Sequence, residues 1–212
     1  MSITPYRVPA QTVSCEQEIK KSRFITYLAH TQGEEDAKQF IQSIRETYPD
    51  ARHHCWAFVA GRPESSVQWG CGDDGEPAGT AGKPMLAQLS GANVGEICAV
   101  VVRYFGGVKL GTGGLVKAYG SSVQQALMMM ETREIAVTVP YVLSCEYAHI
   151  DTIESLLKQY HGVQLDAEFS HNVRLTVRID ARFVADFLEA LKNQTRGQAH
   201  VSPLENESTS GT

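Results

Sequence analysis

The chain has no apolar run approaching the roughly 18 residues that a membrane-spanning helix needs. Its first residues, Met-Ser-Ile-Thr-Pro-Tyr6, carry neither the basic nor the apolar region of a signal peptide. No membrane association is expected, and the cytoplasm is the predicted compartment. Paired cysteines are missing too. The five, at positions 15, 55, 71, 98 and 145, are an odd number with no Cys-x-x-Cys pair, which argues for reduced thiols and against a disulfide or zinc framework. His53, His54 and Cys55 are consecutive, so on a strand they cannot all turn to one metal. A surplus of positive charge is also lacking. The chain has 19 Lys and Arg against 24 Asp and Glu, a net charge of −5, and that excludes a general nucleic-acid coat.

What is abundant is glycine, concentrated between Gly72 and Gly120. Gly72-Asp-Asp-Gly-Glu-Pro-Ala-Gly-Thr-Ala-Gly82 forms one loop, and Lys83-Pro84 opens a helix after it. The apolar run Ile97–Val102 reads as a buried strand and leads to a second loop, Gly106-Gly-Val-Lys-Leu-Gly111, continued by Gly113 and Gly114. Leu115, Ala118, Tyr119, Ser122, Val123, Ala126, Leu127 and Met130 then recur in steps of three and four, the period of a helix. Strand, glycine turn and helix start in that order suit either an anion site or a tight turn without a ligand. Known nucleotide motifs do not fit. A P-loop around Gly82-Lys83 would need Gly at 77 and Ser or Thr at 84, where this chain has Pro77 and Pro84. Gly111-Thr-Gly-Gly-Leu-Val116 begins like a dinucleotide fingerprint, but Val116 occupies the place of its last glycine.

Charge within the chain is uneven. Residues 1–135 carry 13 basic and 14 acidic residues, and residues 136–212 carry 6 and 10. Between Pro77 and Met130 the only acid is Glu96, while Lys83, Arg103, Lys109 and Lys117 lie in the same window. These four cations form the expected positive face, with one of the rings Tyr104 and Phe105 turned outward for base stacking, Tyr104 being the one chosen, and the other in the core, and with Lys20, Lys21 and Arg23 as the alternative basic cluster. Asp73, Asp74 and Glu76 are close enough in sequence to bind magnesium or to act as acid and base. The reading adopted is that they form turns and caps within the structural loop of Gly75, Gly79 and Gly82, paired with the second loop of Gly106, Gly107, Gly111 and Gly113. No catalytic residue, metal or cofactor is assigned, because no Ser or Cys has a His or Lys partner at a spacing that would activate it.

Together, Asp73-Asp-Gly-Glu-Pro-Ala-Gly-Thr-Ala-Gly82, Val101-Val-Arg-Tyr-Phe-Gly-Gly-Val-Lys-Leu-Gly111 and Gly113-Gly-Leu-Val-Lys-Ala-Tyr119 resemble the IMPACT family in its bacterial, YigZ-like form. The resemblance covers most of the chain. It implies an N-terminal domain like domain IV of elongation factor G, a fold shared with small-molecule kinases, and a C-terminal domain like domain V. It also implies a translation-linked role with RNA or the ribosome as partner. Eukaryotic members regulate translation by competing for the ribosome-associated activator of an initiation-factor kinase. Those members carry an extra N-terminal domain not found in these 212 residues, so that partner is not carried over. Two other readings stay open: an enzyme acting on a small phosphorylated substrate at the glycine loops, and a protein-binding regulator of a translation or stress factor.

Length and composition suit two small α+β domains. Gln11–Lys20 and Phe24–Ala29 read as strands, Gly33–Tyr48 as a helix, and Cys55–Ala60 and Ser66–Gly70 as strands. With the glycine-rich stretch they give ββαββαβα over residues 1–134, the helix ending in the polar residues 131–134. From Val137 the period becomes two. The order βαββαβ over 135–204 is ferredoxin-like, with Asp151-Thr-Ile-Glu154 as a capping box and Gly162 as a helix stop. Residues 205–212 have no apolar side chain and are expected to be disordered.

Overall fold

The computed structural model describes residues 4–204, so the expected disordered tail at 205–212 lies outside the described residues. The chain divides into two compact units, Tyr6–Ile135 and a second beginning at Ala136.

In the first unit the strands β1 (Tyr6–Pro9), β2 (Val13–Ile19) and β3 (Ser22–His30) precede helix α1 (Gly33–Thr47). Then come β4 (His53–Val59), β5 (Trp69–Gly72), α2 (Gly82–Gly91), β6 (Ile97–Tyr104), α3 (Thr112–Met129) and β7 (Thr132–Ile135). Five strands form one antiparallel sheet in the order β2-β3-β6-β4-β5. Its centre, β6, is apolar without interruption from Ile97 to Val102 because both sheet faces are covered. Ile97, Ala99 and Val101 pack with the α2 and α3 residues Met85, Leu89, Leu115 and Val123, while Cys98, Val100 and Val102 pack with Ala37, Ile41 and Ile44 of α1. The same alternation carries Arg103 to the α2/α3 face and Tyr104 to the α1 face, where Tyr104 packs beside the α1 cluster.

Two expectations need correction here. Ser66–Gln68 is a single 3₁₀ turn, not strand. Pairing with β4 begins only at Trp69, opposite Val59, and Val67 ahead of it is 86 % exposed. The polar residues after α3 are not a helix end but strand β7, which pairs antiparallel with β1 from Tyr6↔Ile135 to Pro9↔Thr132. Each is four residues long, too short to show a period.

The second unit contains β8 (Thr138–Cys145), α4 (Ile150–Gln159), β9 (Val163–Phe169), β10 (Val173–Asp180), α5 (Val184–Gln194) and β11 (His200–Pro203). The antiparallel order β11-β8-β10-β9 is that of a ferredoxin-like fold, as expected. Leu143, Val173, Leu175, Val177 and Ile179 form its core with Ile153, Leu156, Phe187 and Leu191 from the helices. The capping box does not form. A 3₁₀ turn at Tyr147–His149 runs directly into α4, and its first residues therefore have no extended N-cap from which a side chain could fold back. Past α4, His161 takes the left-handed conformation at φ 55°. Gly162 N–H then bonds Leu157 O at 2.7 Å, closing the helix as a Schellman motif. Eleven fully or nearly buried apolar side chains around this sheet are enough for independent folding, so a fragment of residues 136–204 should show a cooperative thermal transition by circular dichroism. A fragment that is unfolded from the start would mean the unit needs the rest of the chain.

Candidate functional site

The two glycine loops end at the N-termini of α2 and α3, but only one is open to a ligand. In the first, the Asp73 carboxylate accepts three backbone N–H groups: Gly79 at 2.7 Å on Oδ2, and Ala81 at 3.0 Å and Gly82 at 2.9 Å on Oδ1. The amide concavity at the start of α2 is thus filled by the protein's own carboxylate. Burial raises the Asp73 carboxyl, but the three N–H donors and Lys83 outweigh it and leave it below the usual range. Gly82 cannot be another residue here, since an added Cβ would fall 2.8 Å from Gly72 N.

Asp74 and Glu76 diverge from Asp73. Asp74 accepts from Arg45 Nη2 at 2.8 Å and from His54 N–H at 2.7 Å, joining α1 to β4. Its carbonyl accepts from His53 Nδ1 at 2.9 Å. Glu76 is buried, and its Oε1 accepts from Arg103 Nη1 at 2.6 Å and from Tyr119 O–H at 2.8 Å. The three carboxylates are turn, cap and ion-pair groups with separate partners. Among the described residues no group of three or more His, Cys, Asp or Glu is placed to hold a metal. Cys55, which donates to Asp73 O at 2.9 Å, has its thiol pushed well above the usual range by burial, so it is protonated and no nucleophile. Tyr119 is held neutral in the same way, burial raising its hydroxyl first and Cys55 and Glu76 adding to it.

The second loop is different. Gly106 lies so close to the β2–β3 turn that a Cβ would fall 1.7 Å from Lys21 O. Gly107, Gly111 and Gly113 instead border open space. Gly111 is the N-cap of α3, no acid stands in the first turn, and the first intrahelical bond runs from Leu115 N–H to Gly111 O at 2.9 Å. The N–H groups of Thr112, Gly113 and Gly114 precede it, and among the described residues no side chain accepts from them. On one side of Leu110 is a pocket of about 320 Å³ whose lining includes Arg52, His53, Arg103, Phe105, Lys109 and Thr112. On the other side a larger one of about 520 Å³ is lined by residues that include Lys20, Gly113, Gly114, Lys117 and Ser121. Leu110 belongs to both.

The expected site residues are therefore only partly brought together. Lys109 and Lys117 are exposed and flank Leu110. Arg103 is 6 % exposed and paired with Glu76, so it is a floor of the pocket and not part of an open cationic face. Tyr104 is on the opposite side of the sheet, its O–H donating to Asp50 at 2.8 Å. Phe105, one residue beyond the strand and 55 % exposed, is the ring that borders the cations. Lys83 is exposed on α2 and lines neither pocket; its charge acts on Asp73.

Comparison with known proteins adds the family. The Impact N-terminal domain matches residues 20–127, and a domain of unknown function, DUF1949, matches residues 143–198. The chain is 54 % identical over 198 residues to the IMPACT family member YigZ of Escherichia coli K12, covering 93 % of this chain and 97 % of that one. The chain belongs to the IMPACT family. An IMPACT family member of Haemophilus influenzae is 48 % identical over 94 % of this chain and 97 % of its own. A member from Bacillus subtilis, YvyE, is 36 % identical over 86 % and 83 %. A crystal structure titled only as a hypothetical protein superposes with a TM-score of 0.74 at 53 % identity, covering 96 % of this chain and 98 % of that one.

In this IMPACT family member the sequence reading overlooked Arg52 and weighed His53 only as a metal ligand. They reach the site because β4 pairs with β6 in a register that sets His53 opposite Arg103. The only sequence signal was a basic pair at the start of an apolar strand. For Lys20 the signal was stronger: it belongs to the alternative basic cluster and joins Lys117 beside α3.

Proposed function

We propose that this IMPACT family protein binds RNA, free or within the ribosome, through the face around Gly106–Gly114 and thereby regulates translation in the cytoplasm. The carrying observation is the pair of adjoining pockets that share Leu110 and expose Arg52, Lys109, Lys20 and Lys117 along one track. Their only acid, Glu76, is already neutralised by Arg103. Single-stranded RNA needs this combination: cations for successive phosphates, reachable backbone amides, and an exposed ring such as Phe105 on which a base stacks. An overall charge of −5 is compatible with it, since Asp73, Asp74 and Glu76 in the neighbouring loop are tied into caps and ion pairs.

Binding carried by phosphates weakens steeply with salt, with a slope near 0.7 per phosphate contact for single strands. Lys109→Glu with Lys117→Glu should therefore lower affinity for single-stranded RNA or ribosomal particles by at least about tenfold near 0.1 M salt. The salt slope should flatten by about 1.4, measured by anisotropy or co-sedimentation. A folded double variant with unchanged affinity and slope would remove this face from the binding reaction.

A further inference from the structure

We propose that the pocket between Phe105 and the start of α3 is a one-nucleotide site for a terminal phosphate monoester, with the phosphate between Arg52, Lys109 and the Thr112 end of α3 and the base on Phe105. This rests on the RNA-binding reading, because it gives the strand end a defined place on the same face.

Size is the first argument. About 320 Å³ is at the lower limit of ligand sites, which run from roughly 300 to 1,000 Å³. It admits a single nucleotide and not a continuous run of them. Leu110 borders both this pocket and the next, so a strand whose end lies in the first can continue past Leu110 into the second.

Charge balance is the second. Of the charged side chains that line the pocket, Arg103 and Glu76 cancel each other at 2.6 Å. That leaves Arg52 and Lys109 as the surplus, with the positive end of α3 added to them. An internal phosphodiester brings one negative charge. A phosphate monoester brings about 1.5 to 2 at neutral pH and one more acceptor oxygen, so it matches the surplus where a diester does not.

Third, the pocket has unused donors. The Thr112 amide at the start of α3, which borders this pocket, has no side-chain acceptor among the described residues, and those of Gly113 and Gly114 border the next pocket; at α2 the Asp73 carboxylate occupies the corresponding place. A phosphate there would do for α3 what Asp73 does for α2. Arg103, nine-tenths buried in the floor, also has a donor to spare: its Nε has no acceptor. Its guanidinium lies 5.7 Å from the centre of the Phe105 ring, which holds that ring at the rim.

The experiment uses the whole chain and one short single-stranded RNA in three forms: 5′-phosphorylated, 3′-phosphorylated and with both ends hydroxyl. A nucleoside 5′-monophosphate serves as competitor. Affinity should be roughly tenfold higher for one of the phosphorylated forms than for the hydroxyl form, and Arg52→Ala should abolish that difference, lowering the affinity of the phosphorylated form more than that of the hydroxyl form. Competition by the mononucleotide at equal concentration would assign the pocket to free mononucleotides as much as to strand ends, and its failure to compete would assign it to strand ends. Equal affinity for all three forms, lost together in the Lys109→Glu, Lys117→Glu variant, would overturn the terminal-phosphate site while the RNA-binding face stands. Mononucleotide binding that depends on Arg52, without binding of any RNA, would do the reverse. No binding of either overturns both.

Discussion

Arg103→Met should destabilise the first unit by about 3 to 5 kcal/mol, because it leaves the Glu76 carboxylate buried without its counter-charge. Both side chains are almost fully enclosed, at 7 % and 4 % exposure. A loss of that size lowers the melting temperature by on the order of 10 °C in a unit this large. Glu76→Gln should cost less than Arg103→Met, since the amide can still accept from Tyr119 and from the guanidinium. The two changes together should cost less than their sum, with a coupling of roughly 1 to 3 kcal/mol. Additive losses in calorimetry would show that the two groups do not depend on each other, and the account of Arg103 as a neutralised floor would fall. The pair also bears on binding. While Arg103 cancels Glu76, the pocket above presents Arg52 and Lys109 to a ligand; without Arg103 it presents an acid.

Most of the fold was legible because its elements carry their own period. The apolar run of β6, the three-and-four spacing of α3 and the alternation Val173, Leu175, Val177, Ile179 in β10 each reflect which neighbours cover them. What the sequence did not disclose depends on distant pairing. Strands β1 and β7 are four residues each and meet across more than a hundred positions. Similarly, a charged residue at a strand end reads as solvated until its partner is known, and the partner of Arg103 lies 27 residues earlier in a loop.

The site was legible in its loops and not in its details. Alternation along β6 correctly separates Arg103 from Tyr104, but the strand stops at Tyr104, so the rule no longer predicts where Phe105 turns. Arg52 arrives as the residue before His53, which strand register sets opposite Arg103. From the sequence the first loop reads as turns and caps and the second as either an anion site or a tight turn. The geometry separates them: one is closed by Asp73, the other open beside Lys109.

That closure leads to the remaining expected result. Asp73→Ala removes a charged acceptor from three N–H groups at once. It should cost about 3 kcal/mol, more than an ordinary helix cap, because hydrogen bonds to an ionised group are the stronger kind. The effect should also depend on pH in a definite direction. Burial raises the Asp73 carboxyl, and the N–H donors together with Lys83 lower it further than burial raises it, so its folded-state value is depressed. A depressed carboxyl contributes its full stabilisation above the unfolded value near 4 and loses it as pH falls through the folded value. The gap in melting temperature between the native chain and Asp73→Ala should therefore be constant above about pH 5 and narrow below about pH 4. Asp73→Asn should recover part of the loss at neutral pH by keeping one carbonyl oxygen, and its stability should not share this acid dependence. If the gap instead widens as pH falls, Asp73 is not the ionised acceptor that closes the first loop, and that loop would be as open to an anion as the second.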